Sequence, residues 1–255
     1  MHEGMQNSLR ETWCPSWFSV FMSISENLAA ISERINQAAR RAGRRPEEIV
    51  LMAVSKTQPA KRIREAYSEG QRLFGENRVQ EFSSKADTLQ DLKDAEWHMI
   101  GHLQTNKAAK TVELFKAVDS LDSVKLAEKL DAAARARGTK LDVLIEINVG
   151  GETAKNGVAP HSSELEELLN AAPRFEALAF HGLMTVPPYT DDLQGARPYF
   201  RRLRELRDAI AARKLPSVAM DALSMGMSHD FEVAVEEGST CVRVGTAIFG
   251  ERAQI

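Results

Sequence analysis

Cysteine is nearly absent. Cys14 and Cys241 are the only two in 255 residues, with no CxxC pair and no metal-ligand spacing, which excludes a disulfide scaffold and a cysteine-bound metal and fits a reducing cytoplasm. No apolar run is long enough to span a bilayer. Trp13, Cys14, Trp17, Phe18, Val20 and Phe21 make an apolar patch, but Pro15 and Ser16 interrupt it, and the basic start and small-residue cleavage site of a secretory signal are missing. Charge of one sign is not in excess either: 33 Lys and Arg stand against 36 Asp and Glu, for a net charge of −3. The basic residues are spread along helix-like segments, so no nucleic-acid footprint forms and a bulk polyanion is a poor partner. Residues 1–21 read as an extension, as if the natural start were Met22, and residues 22–255 as one domain.

What is present is a repeated unit. With 43% hydrophobic and 27% charged residues, there is ample material for a core. A helix from Ser23, apolar at Leu28, Ile31, Ile35 and Ala38 and basic at its end, precedes an apolar strand over 49–54. Strands are then predicted over 72–75, 97–100, 117–119, 141–149, 177–184, 219–223 and 240–244. Helices are predicted over 60–69, 79–92, 105–110, 123–137, 162–171, 193–212 and 230–237. About eight strands alternating with helices predict a parallel α/β (β/α)8 TIM barrel, with a doubly wound open sheet as the alternative. There is no linker and no low-complexity tract.

In a closed barrel, alternate strand residues point inward and the carboxyl ends of the strands line the active mouth. Val50, Met52, Val54 and Lys56 share one face, so Lys56 caps an apolar column. Taken alone, it is a solvated lysine at a strand tip. Asp142, Leu144, Glu146 and Asn148 share a face that suits a polar interior, and His98, Ile100 and His102 share another. Leu223 to Ser228, LSMGMS, joins a strand to a helix and offers glycine and hydroxyls where a phosphate would sit, with an N-cap at Ser228 as the plainer role. A second loop, VRVGTAIFG, follows the next strand, and parity turns Arg243 and Gly245 inward. A guanidinium is costly there unless acceptors await it. Loops after the seventh and eighth strands form the usual phosphate site of such barrels. Lysine, phosphate cradle and inward arginine together point to a phosphorylated carbonyl compound held as an imine. That requires a neutral amine, which burial beside a cation favours.

In this order, AVSKTQP, FGENRVQE, WHMIGHLQTNK, GLMTVPP, LSMGMSHD and RVGTAIFG resemble the YggS/PROSC family of pyridoxal 5′-phosphate homeostasis proteins, from Ser23 to Arg252. The resemblance implies a barrel like the amino-terminal domain of alanine racemase, with pyridoxal phosphate bound to Lys56 as an aldimine. It implies that Ser224, Gly226, Ser228, Gly245 and Thr246 hold the phosphate, with Met225 among the cofactor contacts. Arg243 would face the pyridine nitrogen, Asn77 would line the ring, and Lys155 would be a second contact.

An arginine at the ring nitrogen disfavours its protonation and weakens the cofactor as an electron sink. The racemases of this fold also use a tyrosine base from a second domain. This chain ends soon after its last strand, and its three tyrosines, Tyr67, Tyr189 and Tyr199, lie at no strand end. The expectation is therefore a non-catalytic, cytoplasmic, monomeric protein of vitamin B6 homeostasis that stores, buffers or delivers the cofactor. It would meet PLP-dependent or B6 salvage enzymes transiently and neither nucleic acid nor membrane. An alanine-racemase-type enzyme and a colourless Schiff-base aldolase are the alternatives.

Overall fold

The computed structural model describes residues 23–152 and 156–250. The extension expected at residues 1–21 and the second contact expected at Lys155 lie outside the described residues. Eight parallel strands close into a barrel in chain order: β1 (Val50–Val54), β2 (Leu73–Glu76), β3 (Glu96–Met99), β4 (Ala117–Leu121), β5 (Leu141–Glu146), β6 (Leu178–Met184), β7 (Val218–Met227) and β8 (Cys241–Val244). Closure pairs Met52 with Arg243 across β1 and β8. This is the predicted TIM barrel, and the open sheet is excluded.

The covering helices are α1 (Ile24–Arg41), α2 (Ala60–Ser68), α3 (Val79–Ala86), α4 (Ala108–Leu114), α5 (Val124–Arg137), α6 (Ser163–Ala171), α7 (Arg197–Ala212), α8 (Phe231–Glu236) and α9 (Thr246–Phe249). Two apolar layers result. Val143, Ile145, Ile147, Val242 and Val244 pack outward beneath the helices, whereas Met52, Val54, Leu144 and Met184 are buried apart from that layer, inside the barrel. The parity assigned to β1, β5 and β8 is therefore the observed one.

Helix α1 starts at a capping box, in which Ser23 and Glu26 satisfy each other's backbone N–H groups. Its buried stripe of Ile24, Leu28, Ile31, Ile35 and Ala38 faces the barrel, while Arg34 pairs with Glu232 at 2.6 Å and Arg41 with Glu236 at 2.9 Å. Asn27 Nδ2 donates to the Ile248 carbonyl at 2.9 Å. The leading helix thus fastens α8 and α9, the two helices that follow the phosphate-type loops.

Several boundaries differ from expectation. Strand β5 stops at Glu146; Ile147 N–H still donates to the Met184 carbonyl at 2.8 Å, and Ile147 forms an isolated bridge to Val158. Asn148 therefore leaves the barrel wall, and its side chain donates to the Glu152 carbonyl. The chain also turns at Gly101, where a Cβ would stand 2.5 Å from the Asn77 carbonyl oxygen. Only a glycine allows that approach, and the turn carries His102 out of the interior to pair with Asp122 at 3.3 Å. His98 alone of the two stays inside, 3.0 Å from Asp119.

Candidate functional site

At the carboxyl ends of the strands, Lys56, Asn77, Ser228, Arg243, Gly245 and Thr246 line one cavity of about 340 Å³, together with Val54, Ile100, Val186, Met227 and His229. Its volume lies within the range of about 300–1,000 Å³ typical of small-molecule sites. Each residue arrives from a strand end or the turn after it. Lys56 lies two residues beyond β1, in a turn closed by Gln58 N–H donating to the Ser55 carbonyl at 3.0 Å. It is half-buried and caps the column made by Met52 and Val54.

Arg243 is the floor. It is almost fully buried, and its two terminal nitrogens donate to Ser224 Oγ and the Thr185 carbonyl, each at 2.7 Å. These are the acceptors that an inward guanidinium requires. Burial pulls its pKa below the usual arginine value, against the pull of Asp119, Glu146 and Asp230. An arginine nevertheless remains protonated in a folded protein.

The loop after β7 departs from expectation. Strand β7 runs through to Met227, so the glycine-containing segment is strand and not loop. Ser224 has no exposed surface and bonds Arg243, and Met225 is buried in the layer beneath the helices. Gly226 has φ +94, and a Cβ there would lie 2.5 Å from Ala234 Cβ. None of these three lines the cavity. Ser228 does, but it does not cap α8, whose N-cap is Asp230. Its Oγ instead accepts from Gly245 N at 3.3 Å and Ala247 N at 3.5 Å, at the start of α9. Backbone N–H groups that gather on a serine oxygen form an anion-seeking cradle. Of the residues expected to hold a phosphate, Ser228, Gly245 and Thr246 line the cavity, whereas Ser224 and Gly226 do not, and Ser224 accepts from Arg243 instead.

Residues missed from sequence include His229, which lines the cavity and packs at a tilt against the exposed Tyr189, with ring centroids 5.6 Å apart. Tyr189 thus stands at the rim, although no strand ends there. Thr185 and Val186 lie in GLMTVPP, a motif whose sequence alone suggests no role for either. Glu146 faces the interior and is nine-tenths buried, and its Oε2 has no hydrogen-bond partner. Burial, helped by Asp122 and opposed by Arg243, raises its pKa to about 7.

A second cavity, of about 420 Å³, opens at the opposite end of the barrel and includes Glu48, Glu96, Asp119, Asp142, His98 and His181 in its lining. Four carboxylates with no lysine or arginine suit an anionic ligand poorly, and burial pushes the adjoining Cys241 thiol up to about 12, which makes it inert. Among the described residues, no three His, Cys, Asp or Glu side chains form a group that could hold a metal ion. Among them, too, no helix is long and apolar enough to cross a membrane.

Residues 27–253 match the family described as alanine racemase, N-terminal domain. The pyridoxal phosphate homeostasis protein of Aquifex aeolicus is 49% identical over 91% of this chain and 99% of its own length. That of Escherichia coli K12 is 43% identical over 90% of this chain and 97% of its own. The chain belongs to the pyridoxal phosphate homeostasis protein family. Its fold matches PipY of Synechococcus elongatus, solved with PLP bound, at TM-score 0.77 and 37% identity, covering 89% of this chain and all of that one. An alanine racemase of Clostridium difficile matches at TM-score 0.65 but only 15% identity, a likeness of fold alone.

Proposed function

We propose that this protein binds pyridoxal 5′-phosphate and serves intracellular homeostasis of that cofactor, by storing, buffering or delivering it. The observation that carries the reading is the meeting of Lys56, Arg243 and the Ser228–Gly245–Thr246 cradle on one cavity that no carboxylate lines. The donor set fits the group. Backbone N–H groups and hydroxyls suit its phosphate, the Arg243 guanidinium suits an unprotonated ring nitrogen, and Lys56 suits its aldehyde. Asn77 would lie along the ring. When bound, the cofactor would supply an aldehyde that Lys56 holds as a Schiff base, with loss of water. Val54, Ile100 and Val186 would shield that bond.

Holding outweighs turnover in this reading. Relatives of similar length carry the homeostasis name, and PipY carries PLP. A permanently charged Arg243 keeps the ring nitrogen free of a proton and so weakens carbanion stabilisation. The protein would act as a cytoplasmic monomer, with transient contacts to enzymes that take the cofactor.

Incubation with pyridoxal phosphate followed by desalting tests this directly. The wild type should be yellow and Lys56→Ala colourless. A wild type that stays colourless would end the assignment, and turnover of L-alanine at an ordinary enzymatic rate would replace it with a racemase.

A further inference from the structure

The turn that presents Lys56 is held from below by a polar cluster that does not itself line the cavity. In the segment Ser55, Lys56, Thr57, Gln58, the third residue adopts φ +63. Positive φ at that position is normal for a type II turn when glycine or asparagine fills it, but it is strained for β-branched threonine. Strain of this kind persists only where neighbours over-determine it.

The neighbours come from β2 and α3. Thr57 N–H donates to Glu81 Oε1 at 2.5 Å. Lys85, four residues on along α3, donates to the Ser55 carbonyl at 3.1 Å and the Gln58 carbonyl at 3.4 Å, the two ends of the turn. Its ammonium also pairs with Glu76 Oε1 at 2.8 Å and with Glu81 Oε1 at 3.4 Å. Glu76 is wholly buried, and its Oε1 also accepts from Ser55 Oγ at 2.6 Å. One ammonium therefore ties the first and last residues of the turn to the helix behind it. Its counter-ion, Glu76, is the last residue of β2, directly before Asn77.

We infer that Lys85, with Glu81 and Glu76, is a positioning device for Lys56, holding the strained Ser55–Gln58 turn so that the Lys56 amine is aimed into the cavity. This rests on the reading of Lys56 as the residue that joins the cofactor. A displacement of the turn by about an ångström would cost on the order of a hundredfold in the rate of imine formation.

The test uses Lys85→Met and Glu81→Ala. The second leaves the Glu76–Lys85 pair intact, and so covers the case in which an unpaired buried Glu76 prevents folding of the first. Two readouts are taken. Amide hydrogen exchange at Thr57 without cofactor reports the turn itself. The rise of imine absorbance on mixing with pyridoxal phosphate reports Lys56.

Both variants should accelerate Thr57 exchange and slow imine formation tenfold or more, a conservative share of that cost. Adding Thr57→Gly, which adopts φ +63 without strain, should restore most of the rate. A purely structural role for Lys85 would not be rescued by a glycine in the turn. Unchanged Thr57 exchange in folded variants, or slowed imine formation that Thr57→Gly does not restore, would overturn the proposal. A wild type that forms no imine at Lys56 would overturn the proposed function instead, and the exchange data alone would then decide whether the clamp exists.

Discussion

Replacing Glu146 by glutamine should stabilise the protein strongly at pH 8 and only slightly at pH 5. The carboxyl is nine-tenths buried on the inner face of β5, one of its oxygens has no partner, and its pKa is raised from 4.5 to about 7. Burial is the main cause, the Asp122 carboxylate adds to it, and Arg243 opposes it. The sign follows from proton counting. Between about pH 4.5 and 7 the folded protein keeps a proton that the unfolded chain has released, so stability falls as pH rises. Above about pH 7 the folded state also carries the charge, and this contribution levels off.

At roughly 1.4 kcal/mol per pKa unit, the gap is worth about 3 kcal/mol at full development. Glutamine has nearly the shape of the protonated acid and never ionises. The variant should thus exceed the wild type by less than about 1 kcal/mol at pH 5 and by up to about 3 kcal/mol at pH 8, or about 6–12 °C in Tm for a chain of this size. Paired urea melts at four pH values between 5 and 8 measure this. Subtracting the two profiles removes the contributions of Glu76 and Asp230, whose pKa values burial also raises. A difference that does not change with pH, or one that favours the wild type at pH 8, would refute the reasoning.

Arg243→Gln removes the donors to Ser224 and Thr185 and the charge beneath the cavity. Affinity for pyridoxal phosphate should fall by at least about tenfold in equilibrium dialysis, and an unchanged affinity would contradict the placement of Arg243 at the ring. Gly226→Ala combines a strained φ of +94 with a Cβ 2.5 Å from Ala234. It should cost about 2–4 kcal/mol in denaturant melts, and a variant within 0.5 kcal/mol of wild type would show that β7 can shift freely against α8.

Much of the fold was legible because burial period and chain order are local properties. The outward valines of β8 and the inward Arg243 follow from alternation alone, once the barrel is accepted. The placement of Lys56 and Arg243 on one cavity was legible too, because strand alternation points both residues the same way. The site was misread where a contact joins distant segments. Ser228 looks like a helix cap in sequence, yet its hydroxyl accepts from Gly245 and Ala247, at the start of the helix after the next strand. Glycine in LSMGMS suggests a loop, but β7 absorbs it because the barrel wall holds Gly226 at positive φ against α8.

The helix of α9 spans only four residues, Thr246–Phe249, too few to show a period. His102 sits at the right parity for the interior and leaves it because the approach of Gly101 to Asn77 bends the chain, a tertiary event with no local signature. The turn at Lys56 is the clearest case. Nothing about threonine announces a positive φ, and Glu76, Glu81 and Lys85, which hold it, lie twenty residues or more along the chain.

The central claim is that Lys56 holds the cofactor. It is tested most directly by mixing the protein with pyridoxal phosphate, reducing with borohydride, and mapping the modified peptide by mass spectrometry. One dominant phosphopyridoxyl adduct is expected, on Lys56, and absent from Lys56→Ala. A dominant adduct on any other lysine, or labelling that persists undiminished in Lys56→Ala, would contradict it.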